Sequence, residues 1–264
     1  MCKRVQPLIQ KNAGTKDAGG GKSSACTRVV LALLPVLGCS FILAVLYLLT
    51  YKLDITVNDS SVSHALADYE PNIEILILIF IGATLMIMVT ICRDIQINVY
   101  HRRRRSTTCG LKTLNFIAAF ANITAYIGFV LLALFKIDGE SETERLLHSV
   151  GSYMYFGLSG LYGLLHTFLL WKQTQYPCIV KVIFTIVPLV TIAFSIIYAV
   201  KQEEAYVTEW ITVALAAIFV GLMSILFCID PVDDELREFF CCCRRGGGKS
   251  DVRASSKRKE VRLV

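Results

Sequence analysis

Residues 148–171 read HSVGSYMYFGLSGLYGLLHTFLLW. The stretch is long enough to cross a bilayer, whose hydrocarbon core of about 30 Å needs roughly 20 apolar residues per helix. It is also studded with Gly and Ser, and a histidine stands near each end. Either it houses a buried metal or catalytic site, or it is a helix built to pack against its neighbours. From Ser149 the small residues recur as Ser149, Ser152, Ser159 or Gly160, and Gly163, a heptad-like ridge interrupted by Phe156. Small residues let helix backbones approach closely in lipid. Packing is therefore the role expected of Gly157, Gly160 and Gly163, with a ligand groove as the other reading. The histidines cannot share a metal, because 18 residues of helix separate them by about 27 Å. The other two, His64 and His101, fall in loops on opposite sides of the expected membrane, and no His-x-x-x-His occurs. No cofactor or metal is expected.

Outward from this stretch the chain repeats the pattern. Its 264 residues are 55% hydrophobic, and the apolar residues come in blocks rather than in amphipathic alternation. Six blocks are long enough to span: 29–50, 73–92, 111–135, 146–171, 178–200 and 207–229. Backbone groups in lipid must be satisfied within the segment, so each is expected to be a helix. The roughly 10-residue alternating segments of a membrane β-barrel are not seen. The fold class expected is an all-α polytopic membrane protein, a bundle of six transmembrane helices over 29–229. A basic N-terminal tail (1–28) and a C-terminal tail (230–264) flank it, both expected to be disordered. The first block is too long for the apolar region of a cleaved signal peptide and is expected to act as an uncleaved signal-anchor.

Lysine and arginine set the orientation. All but four of the 27 (Lys52, Lys136, Arg145 and Lys201) fall in the tails, in the connections after the second and fourth spans, or, for Lys112 and Lys181, in the first turn of the span that follows. The positive-inside rule puts that side, and both termini, in the cytosol. The cysteines follow the same partition, with none in a lumenal loop, so the lumenal side is not expected to be stapled by disulfides.

Four features carry candidate function. His148, Glu74 and Glu209-Trp210 begin the fourth, second and sixth spans at the lumenal end. Ionisable groups at that depth need a partner or water, and a His–Glu contact would titrate between cytosolic and lysosomal pH. They form a candidate lumenal cluster, or they mark the interface and face water. On this reading His148→Ala alters activity and leaves abundance unchanged. Asn115 and Asn122 stand seven apart on one face of the third span and are expected to hydrogen-bond to a neighbouring helix. Arg102, Arg103, Arg104 and Arg105 sit between spans two and three, where they mark topology and can attract anionic inner-leaflet lipid. Cys241, Cys242 and Cys243 lie beside aromatic and basic residues past the last span and suggest palmitoylation, the alternative being reduced thiols.

Weaker signals remain. Asn58-Asp59-Ser60 is an N-glycosylation sequon close to the membrane, and its use stays open. GGGKSS at 19–24 and GGGKS at 246–250 lack the first glycine of a phosphate-binding loop. Pro35 and Pro188 can kink the first and fifth spans. His166 is expected to be a satisfied histidine near the cytosolic side. No nucleophile motif or cofactor loop accompanies His148, so no enzyme is expected. Few charges lie mid-span and the halves are not inverted repeats, which argues against a channel or transporter.

His148, Gly151, Phe156-Gly157, Leu161-Tyr162 and Thr167, together with Leu34-Pro35, Leu114-Asn115 and Glu209-Trp210, form a scattered pattern. Over roughly residues 29–230 it resembles the damage-regulated autophagy modulator (DRAM) family of six-span proteins. The wider group includes post-GPI-attachment factors and regulators of phosphoinositide kinase complexes. The first lumenal loop, DITVNDSSVSHALADYEPN, lacks the Pro-Tyr-Ile-Ser-Asp run frequent in that family, which leaves the subfamily open. The resemblance implies a non-enzymatic membrane protein of the lysosome, endosome or plasma membrane. It would modulate autophagy or endolysosomal function, or the recruitment of lipid-modifying machinery. Its partners would be anionic inner-leaflet lipids and cytosolic or membrane proteins, not nucleic acid. The alternative is a lipid or GPI-anchor remodelling factor of the Golgi or endoplasmic reticulum.

Overall fold

In hydrocarbon no water is present to take a backbone N–H or C=O, so a long apolar block satisfies its own backbone by winding into a helix. The computed structural model describes residues 21–53, 62, 65–66, 73–103, 109–135, 141–201 and 206–229, and among them every regular element is helical. These are α1 (Gly21–Leu53), α2 (Ile73–Arg103), α3 (Cys109–Leu134), α4 (Glu142–Lys172), α5 (Cys178–Lys201), α6 (Tyr206–Gly221) and α7 (Met223–Ile229). Asn58, Arg104, Arg105, Cys241, Cys242, Cys243 and most of both tails lie outside the described residues.

Five stretches are long and apolar enough to cross a membrane: Val29–Tyr51, Ile73–Arg102, Cys109–Leu134, Cys178–Lys201 and Tyr206–Ile229, the last made of α6 and α7 together. The 31 residues of α4 suffice in length, but its histidines, serines and glycines dilute its hydropathy. It nevertheless lies between α3 and α5, the place a sixth span takes.

Each helix packs on its sequence neighbours, and α6 with α7 returns to α1, closing a ring. The close pairs run in antiparallel register. Gly38 meets Met86 and Gly82 meets Ile42 between α1 and α2. Asn115 meets Asp94 and Asn122 meets Thr90 between α2 and α3. Gly128 meets Gly151 between α3 and α4, and Gly163 meets Pro188 between α4 and α5. The interior is filled by side chains such as Ile42, Leu49, Ile79, Met86, Phe129, Tyr155, Leu169 and Phe184. Leu33, Phe80, Phe116, Phe120, Ile186 and Ile196 face outward, as expected where lipid replaces water.

Local chemistry sets the ends of α4. Ser141 caps its start, its hydroxyl accepting the Thr143 N–H at 3.2 Å, with Glu142 and Glu144 in the first turn to complement the helix dipole. At the far end the Gln173 N–H reaches Leu170 O at 3.1 Å. Pro177 then opens α5 and offers its carbonyl to the Val180 N–H at 3.1 Å. The last span breaks at Leu222, just past Gly221, where a Cβ would come within 3.0 Å of Cys39 on α1.

One boundary differs from the sequence reading in a way that matters. The apolar run of the second span ends at Cys92, but α2 continues to Arg103. The extension is held because its polar residues turn inward: Arg93, Gln96, Tyr100 and His101 are all buried.

Candidate functional site

The polar side chains of this bundle gather at one end, where α2, α4 and α7 finish and α3 begins. Arg93 is at the centre and is only 1% exposed. Its Nη1 donates to Gln96 Oε1 and, at 3.1 Å, to Tyr176 OH. Its Nη2 donates to Gln173 Oε1 at 3.5 Å, and the guanidinium carbon sits 5.6 Å from the Tyr176 ring centre. Gln96 in turn donates to Leu226 O at 3.1 Å, which ties α2 to α7. Beside it the Asp94 carboxylate accepts from Asn115 at 2.6 Å and from Asn98 at 3.0 Å. Tyr100 OH accepts the Thr174 N–H at 3.0 Å and fastens the α4–α5 connection to α2.

Among the described residues, every hydrogen-bond partner of Arg93 is neutral. A buried cation without a carboxylate is costly, because neutral dipoles replace only part of its lost hydration. Four buried atoms at or near this junction also have no hydrogen-bond partner: Arg93 Nε, Gln173 Nε2, His166 Nε2 and Tyr162 OH. Tyr162, His166 and Gln173 share the inner stripe of α4. His166, expected to be satisfied, is packed among the rings of Tyr162, Phe184 and Phe219 at 5.5–5.9 Å. Tyr162 also lines a small cavity at mid-bundle with Asn122, Tyr126, Ser159 and Thr191. Buried unsatisfied polar groups are rare in native proteins, and each calls for a ligand, a water or strain to explain it.

The same end carries further cations. Arg102 is exposed near the end of α2. The Nζ of the exposed Lys172 lies over the Phe168 ring, 5.1 Å from its centre, and that of the half-buried Lys181 lies over the Trp171 ring, 5.6 Å from its centre.

At the opposite end, where α2, α4 and α6 begin, His148 is 2% exposed and Glu209 is 1% exposed. Trp210 is buried and Glu74 is exposed. His148 Nδ1 lies 2.8 Å from Phe135 O, so the ring fastens the end of α3 to the start of α4. Among the described residues no three His, Cys, Asp or Glu side chains come together as a metal site. Cys39, Cys92, Cys109, Cys178 and Cys228 are free thiols.

The small residues divide by face. A Cβ on Gly163 would stand 2.5 Å from Pro188 Cβ, and one on Gly160 would stand 3.1 Å from Ile192. Gly157 is exposed and a Cβ there would meet nothing within 4 Å. The tightest backbone approach joins Gly128 to Gly151, where a Cβ on either would come within 2.8 Å of the other's carbonyl oxygen. Asn115 Nδ2 reaches the Asp94 carboxylate and also Asp94 O at 3.1 Å. Asn122 Nδ2 donates to Thr90 Oγ1 at 2.7 Å.

Sequence reasoning passed over Arg93, Asp94, Gln96, Gln173, Tyr176 and Gly128. The available signal was periodic. Arg93, Gln96 and Tyr100 are spaced i, i+3, i+7, which continues the inner face of the second span past its apolar end. No curated protein and no solved structure matches the chain. The family model described as the Frag1/DRAM/Sfk1/Cwh43P N-terminal domain matches residues 26–227, from the start of the first span to the last turns of the sixth, and the chain belongs to that family.

Proposed function

We propose that the chain is a non-enzymatic scaffold of the lysosomal, endosomal or plasma membrane. It modulates autophagy or endolysosomal function, or the recruitment of lipid-modifying machinery to the cytosolic leaflet. Family membership supports a multi-pass membrane role. One arrangement carries the finer reading: the arginine-centred junction, the exposed Arg102 and Lys172 and the half-buried Lys181 lie at the same end of the bundle. Positive-inside bias assigns that end to the cytosol, where anionic lipid and soluble enzymes are met together.

A second reading, lipid or GPI-anchor remodelling in the Golgi or endoplasmic reticulum, draws on the burial of His148 and Glu209 at the lumenal end. Imaging the tagged chain at native abundance against lysosomal, plasma-membrane and Golgi markers separates the two. Autophagic flux and lipid-kinase recruitment are then followed in cells lacking the chain. Lysosomal, endosomal or plasma-membrane residence with altered flux or recruitment is expected. Golgi or reticulum residence with both unchanged would sink the first reading in favour of the second.

A further inference from the structure

Arg93 is the twenty-first residue of α2, so about 30 Å of helix separates it from Ile73. That distance is close to the thickness of the hydrocarbon core. Arg93 therefore stands at the level of the phosphates of the leaflet on the basic end, although its side chain is turned into the ring and buried.

The groups around it form a donor-rich shell. Arg93 spends its terminal nitrogens on three neutral side chains and leaves Nε unmet. The Gln173 amide nitrogen is also unmet, although its oxygen holds the guanidinium. Farther along the inner stripe of α4 stand two more unmet atoms, His166 Nε2 and Tyr162 OH. The nearest acid, Asp94, is held by Asn98 and Asn115 on a separate branch. The Arg93 Nε–H and the Gln173 amide are thus two unmet buried donors at one place, the complement of an oxygen-rich anion. The connection over 173–177 carries Gln173 and Tyr176, which Arg93 holds, and Thr174, which Tyr100 holds.

We propose that Arg93, Gln173 and Tyr176 form a binding site for a phosphate-type oxyanion at headgroup level, the phosphate of an anionic lipid of the leaflet on the basic end. The oxyanion takes the Arg93 Nε–H and the Gln173 amide, and it supplies the negative charge that the described side chains withhold. The site deepens the scaffold reading, because it would let the bundle sense the composition of the leaflet at which partners assemble.

The test uses the purified full chain in nanodiscs of phosphatidylcholine alone, of phosphatidylcholine with phosphatidic acid, or of phosphatidylcholine with millimolar inorganic phosphate. Thermal unfolding is the readout. Phosphatidic acid should raise the midpoint by about 5 °C or more when well above its Kd. Arg93→Met fills similar space without a charge, although it leaves the Gln96, Gln173 and Tyr176 oxygens without their donor. It should lose the shift. Arg93→Lys keeps the charge without the fork and should show a reduced shift, which covers the case in which the methionine variant does not fold. Arg102→Gln, on the exposed surface, should retain the full shift. A shift of equal size with inorganic phosphate keeps the site and assigns its ligand to the soluble phase. No shift in the wild type with either probe, meaning that only water fills the junction, overturns the proposal. So does an undiminished shift in both Arg93 variants. Residence and flux are separate measurements, so either the site or the scaffold reading can fail while the other stands.

Discussion

Replacing Gly151 with alanine should separate two helices that the fold requires to touch. The new Cβ would lie 2.8 Å from both Gly128 O and Leu132 N, and 3.0 Å from Leu131 Cβ. The first two are backbone atoms of α3 and cannot rotate away. Reaching an ordinary contact of 3.4 Å means parting α3 from α4 by about 0.6 Å, which forfeits roughly a quarter of the dispersion well for atoms along the seam. The 2.8 Å contact between His148 Nδ1 and Phe135 O is on the same seam, and a similar displacement takes it to the edge of hydrogen-bonding distance. The expected loss is about 1–3 kcal/mol, partly offset by up to about 1 kcal/mol of helix propensity gained on leaving glycine. Gly157→Ala is the internal control, because its Cβ meets nothing within 4 Å, and only the propensity gain remains. Unfolding in detergent micelles, by heat or by titrated dodecyl sulfate, should rank Gly151→Ala well below wild type and Gly157→Ala at or above it. If both variants unfold together, α3 and α4 do not meet at this seam and the ring is misdrawn.

Three further outcomes follow from other parts of the bundle. Asn122→Ala removes the 2.7 Å bond to Thr90. It should lower stability by about 0.6–1.7 kcal/mol in the same unfolding assay, with Thr90→Val adding little more on top. His148→Ala loses the link to Phe135 O and should reduce stability by about 1 kcal/mol. Function lost with stability unchanged would instead mark His148 as an active group of that end of the bundle. If Cys241, Cys242 and Cys243 are acylated, as their sequence setting suggests, changing them together to serine should abolish hydroxylamine-sensitive acyl exchange; no acyl label on the wild type, or label that survives the triple change, would refute that reading.

The helices were legible because hydrocarbon leaves a long apolar block almost no other conformation. The packing was legible only in part. A ridge of small residues along α4 was visible, yet α4 has two neighbours on different faces. Gly151 serves α3, Gly160 and Gly163 serve α5, and Gly157 falls on the exposed side. Sequence spacing identifies a face but not which neighbour will occupy it. Gly128 was overlooked because a single glycine in an apolar run has no ridge around it, and only its partner on α4 gives it meaning. Asn115 and Asn122 were easier, since an amide in a span must find a partner and seven residues put both on one side of α3.

The arginine junction was hidden for a different reason. A hydropathy reading ends a span where charge begins, so Arg93 and Asp94 looked like the start of a loop. That inference holds when the charges face water or headgroups. It fails when a helix continues and turns its charges inward, where they are met by the amides and hydroxyls of Gln96, Asn98, Asn115, Gln173 and Tyr176. No single one of those residues is unusual at a membrane boundary. Their meaning appears only after the ring closes and brings the ends of α2, α4 and α7 together. Burying the cation costs desolvation that its neutral partners offset only in part. A charge kept buried at this end of the bundle, with its Nε–H unmet and the neighbouring Asp94 turned to Asn98 and Asn115, is better explained by what it binds than by what it holds up.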